Sequence, residues 1–245
     1  MASNPPQECC GRGFKHEGNP AGEIKEINGK CKVLSSVRQS PNLLLLSRRN
    51  QNPDHAILYL SDIMGIYSNS QLLADSLASQ GYLVMMPDFF RGEPWTLNSD
   101  MSKLMGWDID PIVEAAVKYL REEKGYKKIA AVGYCFGAKY VCRFMKQGKI
   151  DVGFIAHPSF VTDEELAGIT GPLSIAAAET DRVFPTELRH KSEEILKKTG
   201  LPYQINLFSG VEHGFAARAD LSQRQAVFAR DQAFNQAVTW FKWHL

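Results

Sequence analysis

From residue 55 onward, short apolar runs alternate with stretches in which apolar residues return every three or four positions. The runs cover residues 55–60, 82–86, 128–132, 152–156, 173–178 and 203–208. Each is short enough for a strand and apolar enough to be buried on both faces. Between them, Val113, Ala116, Val117 and Leu120 recur at helical spacing, as do Ala138, Val141, Cys142 and Met145; the last stripe carries Val227, Phe234, Val238 and Phe241. Strand and helix in alternation predict an α/β fold, a mostly parallel central sheet with helices on both faces. Its binding groups belong at the carboxyl ends of the strands.

The first fifty residues read differently. Residues 1–22 are rich in Pro and Gly and predict an irregular segment, whereas 23–37, broken by Asn28-Gly29, predicts a β-hairpin with a tight primed turn. Residues 43–46 suggest one more short strand. No repeat, low-complexity tract or Gly/Ser linker interrupts the chain. With 245 residues and 44% hydrophobic content, it is expected to form a single domain over 1–245.

Charge narrows the partners. Lys plus Arg is 28 against 27 for Asp plus Glu, a net charge of +1, so no basic excess exists to displace the counterions of a polynucleotide. No nucleic acid is expected as a partner. The opening MASNPPQECC lacks a charged-then-apolar leader, and no apolar run approaches the ~20 residues that span a bilayer. A cytoplasmic protein with no membrane association is expected. Five cysteines, Cys9, Cys10, Cys31, Cys135 and Cys142, form an odd set that predicts reduced thiols. The Cys9-Cys10 pair has no His/Cys partners at zinc spacing, and it reads as incidental in an N-terminal segment.

One thiol stands out. Gly133-Tyr134-Cys135-Phe136-Gly137 is G-x-C-x-G between a buried strand and a helix, the pattern of the nucleophile elbow with sulfur in place of oxygen. The glycines remove Cβ atoms where strand and helix would collide, and the helix N-terminus favours a thiolate. On such a fold an acid and then a histidine follow the nucleophile. Asp181 ends the strand LSIAAAETD, and His213 lies in SGVEHGF, just after the next one. Asp181 also suits a helix N-cap. Cys142 lies on a core-facing stripe and reads as inert. His16, His55, His190 and His244 read as surface or packing residues; His157, ending a strand on the same rim, reads as a candidate pocket residue.

These segments give the chain its resemblance. LYLSDIMGIYSNSQLLADSLASQGYLVMMPDFFRGEP, IAAVGYCFGAKY, AAAETDRVFP and FSGVEHGFAAR resemble the dienelactone hydrolase family of α/β-hydrolases, and ECCGRGFKHEGNPAGE resembles the opening of its fungal members. The resemblance implies a Cys-His-Asp triad on Cys135, His213 and Asp181, with an oxyanion hole of the backbone N–H groups of Ile63 and Phe136. It implies neither metal nor organic cofactor. The family's bacterial members carry a glutamate beside the resting cysteine. Here Asp62, one methylene shorter, takes that place and is expected among the substrate-binding residues. Arg91 and Arg218 match arginines that hold a substrate carboxylate, Arg218 falling one position later than the pattern. A homodimer is compatible with such hydrolases.

Chemistry selects the substrates. A thiolate adding to an ester expels whichever group leaves more easily, and a thiol with pKa ~8.5 leaves far better than an alkyl alcohol. Enol and aryl esters, enol lactones and thioesters are therefore expected, through a thioester acyl-enzyme. A thioesterase or lactonase step in fungal secondary metabolism is the alternative. A non-catalytic or redox-sensing protein is the runner-up, weakened because no resolving cysteine is apparent in the sequence and the triad is intact; oxidation of Cys135 reads as a liability rather than a function.

Overall fold

The computed structural model describes residues 1–27, 31–36, 54–98 and 108–245. Eight strands form one sheet: β1 (Glu23–Ile27), β2 (Cys31–Ser36), β3 (His55–Leu60), β4 (Leu83–Pro87), β5 (Lys128–Tyr134), β6 (Val152–Ala156), β7 (Leu173–Thr180) and β8 (Tyr203–Glu212). Their order is β1-β2-β4-β3-β5-β6-β7-β8. From β4 to β8 all neighbours are parallel, whereas β1 and β2 pair antiparallel at one edge. This is the α/β-hydrolase arrangement expected from the sequence. The hairpin turn at Asn28-Gly29, Val37 and the strand expected over 43–46 lie outside the described residues.

Successive strand residues point to opposite faces, and each face has its own core. Leu58, Leu60, Ala131, Ile155 and Ile175 pack with helices α3 (Asp110–Lys118, prolonged by a wider turn over Tyr119–Glu123), α4 (Gly137–Phe144), the short α5 (Asp163–Ala167) and α6 (Thr186–Thr199). Ile57, Tyr59, Ala130, Val132, Phe154 and Ala176 pack with α2 (Ser68–Ala78), the short α7 (Phe215–Arg218) and α8 (Arg224–His244). The stripes of α3 and α4 are buried as the spacing predicts. On α8 the buried face is carried by Ala229, Ala233, Ala237, Val238 and Phe241, while Val227 and Phe234 are only half-buried. Small residues there let the long helix lie close to the sheet. Among the described residues, no helix is long and apolar enough to cross a membrane.

After β3 the chain first adds β4 on one side, then returns to place β5 on the other. That reversal opens a crevice at the carboxyl ends of β3 and β5. The N-terminal residues run along this same rim. Ala2 and Ser3 donate to the Val161 carbonyl at 2.9 and 3.0 Å, Asn4 to that of Val183 at 2.8 Å, and Phe14 to that of Arg218 at 3.2 Å. Further on, His16 N donates to Asn69 Oδ1 at 2.8 Å and Ala21 N to Asp75 Oδ2 at 2.7 Å. The segment expected to be irregular thus holds one short helix, α1 (Glu8–Gly11), and forms a strap tied to helix α2 and to the segments after β6, β7 and β8.

Candidate active site

The strand β5 delivers Cys135 into a backbone conformation that side chains rarely adopt, with φ at +49°. Two glycines make that bend possible. A methyl on Gly133 would lie 2.6 Å from Val141 Cγ2, and one on Gly137 would land on the Leu60 carbonyl oxygen. Strand β3 and helix α4 can therefore meet only where no side chain intervenes. Ser159 Oγ lies 3.6 Å from the Cys135 sulfur.

The sulfur is not alone. His213 Nε2 lies 3.1 Å from Cys135 Sγ, and His213 Nδ1 lies 2.9 Å from Asp181 Oδ2. Asp181 Oδ1 also accepts from the amides of Val183 and Phe184, at 2.8 and 2.9 Å. The carboxylate therefore orders the turn before α6 as well as the imidazole, while the N-cap position of α6 is Pro185. Cys135, His213 and Asp181 come from the ends of three different strands, yet all three side chains are buried in one relay.

Electrostatics follow from this packing. Burial pushes the Cys135 thiol up, but a hydrogen bond from Cys10 and the charge of His213 outweigh it and hold the sulfur well below the ordinary thiol range. Burial opposes charging His213; Cys135 and Asp181 nonetheless raise it to about 10. Asp181 is lowered, the His213 charge overcoming burial. Together these shifts favour the charged forms, a thiolate beside an imidazolium.

Cys10 is the residue that the sequence did not lead to. Its sulfur lies 3.3 Å from His213 Nε2, fully buried, and the strap carries it there on α1. The reading of Cys9-Cys10 as an incidental pair is thereby corrected. No spacing rule connects position 10 with 135 and 213, so only the tertiary path of the strap exposes the relation. The ligand atoms of Cys9, Cys10 and His213 lie within 4.8 Å of one another, a donor set suited to a soft metal ion. His16, read as a surface or packing histidine, is buried and pins the strap, its Nε2 2.9 Å from the Ala219 carbonyl.

The remaining expected residues fall into two groups. The backbone amides of Ile63 and Phe136, after β3 and β5, have no acceptor among the described residues. His157 is buried at φ +38°, its ring 5.0 Å from that of His213, and neither of its nitrogens has a hydrogen-bond partner. Burial depresses it to about 4, so it is neutral. Asp62 and Arg218 form a buried ion pair with each other. Asp62 Oδ1 also accepts from Met64 N at 2.9 Å, and Arg218 Nε donates to the Arg12 carbonyl at 3.0 Å. Arg218 Nη2 and the Tyr67 hydroxyl are buried without partners. Arg91 stands apart, exposed, at φ +53°. A cleft of about 660 Å³ beside the strap is lined by Arg12, Phe14, Asn98, His213, Phe215 and Arg218 among others.

Comparison with known proteins bears on family and fold. Residues 43–245 match the model of the dienelactone hydrolase family. The chain is 45% identical to Hydrolase pyvD of Aspergillus violaceofuscus, over 100% of this chain and 99% of that one. It is 44% identical to Hydrolase tropI of Talaromyces stipitatus, with 98% and 97% covered. A crystal structure titled as a dienelactone hydrolase from Klebsiella pneumoniae superposes with a TM-score of 0.72 at 13% identity, covering 90% of this chain and 98% of that one. At that identity the likeness speaks for the fold alone.

Proposed function

The chain belongs to the dienelactone hydrolase family and is a hydrolase of ester or lactone type; on that premise we propose that Cys135 is its nucleophile and that the reaction passes through a thioester acyl-enzyme. The observation that carries this reading is the continuous relay from Cys135 Sγ through His213 to Asp181, at 3.1 and 2.9 Å. The thiolate adds to the carbonyl, and the amides of Ile63 and Phe136 hold the developing oxyanion. The imidazolium of His213 gives its proton to the departing oxygen. Neutral His213 then takes a proton from water as it attacks the thioester, and Asp181 holds the ring tautomer throughout. The whole chain acts as one domain, strap included.

Leaving-group chemistry sets the substrate class. The tetrahedral adduct returns to reactants unless the alcohol leaves about as well as the thiolate, so enol lactones and aryl or enol esters are turned over in preference to alkyl esters. Arg218 Nη2 and the Tyr67 hydroxyl, buried and without protein partners, suit a substrate carrying a carboxylate or carbonyl oxygen beside the scissile bond. Because Cys135 is fully buried under the strap, substrate entry requires the strap to lift.

The test is a panel of enol, aryl and alkyl esters and lactones assayed under reducing conditions with the native protein and Cys135→Ser. The expected result is a high ratio of aryl to alkyl kcat/KM in the native protein and a lower one in the serine variant, whose alkoxide is the worse leaving group. A ratio that is equal or higher in Cys135→Ser rejects the sulfur argument.

A further inference from the structure

Resting on Cys135 as the reactive thiolate, we propose that Cys10 is its resolving partner: a hydroperoxide oxidises the site to a Cys10–Cys135 disulfide that switches the hydrolase off and bolts the strap over it. The sequence offered no resolving cysteine for Cys135; the fold supplies one. Both sulfurs contact the same nitrogen, His213 Nε2, at 3.1 Å from Cys135 and 3.3 Å from Cys10. Two buried thiols that share one base have no large rearrangement to make before they can join.

The steps balance. Cys135 thiolate attacks one peroxide oxygen, an S–O bond forms, the O–O bond breaks, and the departing oxygen takes the proton of the His213 imidazolium and leaves as alcohol or water. The neutral imidazole then accepts the Cys10 proton. Cys10 sulfur attacks the sulfenyl sulfur, the S–S bond forms and the S–O bond breaks, and the expelled hydroxide recovers that proton from His213 as water. Peroxide loses its O–O bond and two thiols are oxidised. A small-molecule thiol reverses the reaction by exchange, and the sulfur is spared the irreversible sulfinic state. The strap's hydrogen bonds to Val161, Val183 and Arg218 hold α1 over the rim, where both sulfurs face the same nitrogen.

The experiment treats the full-length native protein, Cys9→Ser and Cys10→Ser with hydrogen peroxide and maps thiols by non-reducing peptide mass spectrometry. Hydrolysis is followed before treatment, after it, and after dithiothreitol. Expected in the native protein and in Cys9→Ser are a linked Cys10–Cys135 peptide pair, two hydrogens lighter, and loss of activity that dithiothreitol restores. Expected in Cys10→Ser, measured against its own untreated rate, is a loss that dithiothreitol does not restore, with Cys135 as sulfinic acid. A Cys9–Cys10 link, or sulfinic Cys135 forming as fast in the native protein as in Cys10→Ser, overturns the proposal. Because linkage is read by mass, absence of ester hydrolysis in the untreated protein counts against the proposed function alone.

Discussion

The elbow at 133–137 and the strap at 1–21 meet at one histidine, yet they are held in opposite ways. The elbow is fixed by its immediate neighbours: strand β5, helix α4 and two glycines that let them touch. Almost nothing in the strap's own short-range sequence fixes it; it is held by carbonyls and side chains far along the chain, at Asn69, Val161, Val183 and Arg218. The elbow is therefore set by its immediate neighbours, whereas the strap, although its Ala2 and Cys10 join the core, can be loosened by changes far along the chain.

The largest effect is expected where the two regions converge. His213→Ala removes the base of both half-reactions, and turnover is expected to fall by about 10³ or more with the fold retained. Steady-state kinetics on the best aryl ester, with circular dichroism as the control for folding, reads this directly; near-native turnover sinks the relay.

A pair of identical substitutions then separates the regions. Gly137→Ala drives a methyl into the Leu60 carbonyl, backbone against backbone, and is expected to cost about 3 kcal/mol or more in chemical denaturation. Gly13→Ala places its methyl 2.5 Å from Arg218 Cβ, at φ +150°. There the strap rather than the core must give way. Little change in the denaturation midpoint is expected, but alkylation of Cys135 by a bulky maleimide is expected to quicken by about tenfold as the strap loosens. Equal stability losses at both positions would erase the distinction between core and strap.

The smallest effect concerns the acid side of the stability curve. His157 has its folded pKa lowered to about 4 by burial, against about 6.5 when unfolded. In that window the unfolded chain binds a proton that the folded one refuses, so stability is present above about 6.5 and is lost as pH falls towards 4. Between pH 6 and 5 this one group accounts for about 1 kcal/mol. His157→Phe, whose ring can keep the contacts with Tyr134, His213 and Phe215, is expected to remove that share of the slope. A slope unchanged in urea titrations at the two pH values places the proton elsewhere.

The same contrast explains what could be read from the sequence. All six strands from 55 onward were legible because both-face burial writes itself as short apolar runs; only their ends moved, β8 extending to Glu212. Cys135, Asp181 and His213 were legible because strand ends and motif spacing are local facts, and the structure places these three side chains together. Cys10 was not, since its partners lie at positions 135 and 213. Neither was the pairing of Asp62 with Arg218, two residues marked separately as substrate contacts that are spent largely on each other. Alanine in place of bulkier residues on the buried face of α8 likewise reflects how near the sheet lies, which periodicity does not encode.

The Asp62–Arg218 pair has a bearing on how relatives of this chain can diverge. The two positions lie 156 apart, both side chains are almost wholly removed from water, and losing either one alone strands a buried charge at about 3–5 kcal/mol. Drift at one position is therefore blocked unless the other changes with it, so the two are expected to be inherited as a unit. Arg218 also holds the Arg12 carbonyl of the strap. A lineage that exchanges the pair for uncharged residues gives up this anchor in the same step, and its strap is expected to rest on the remaining bonds to Asn69, Val161, Val183 and Ala219.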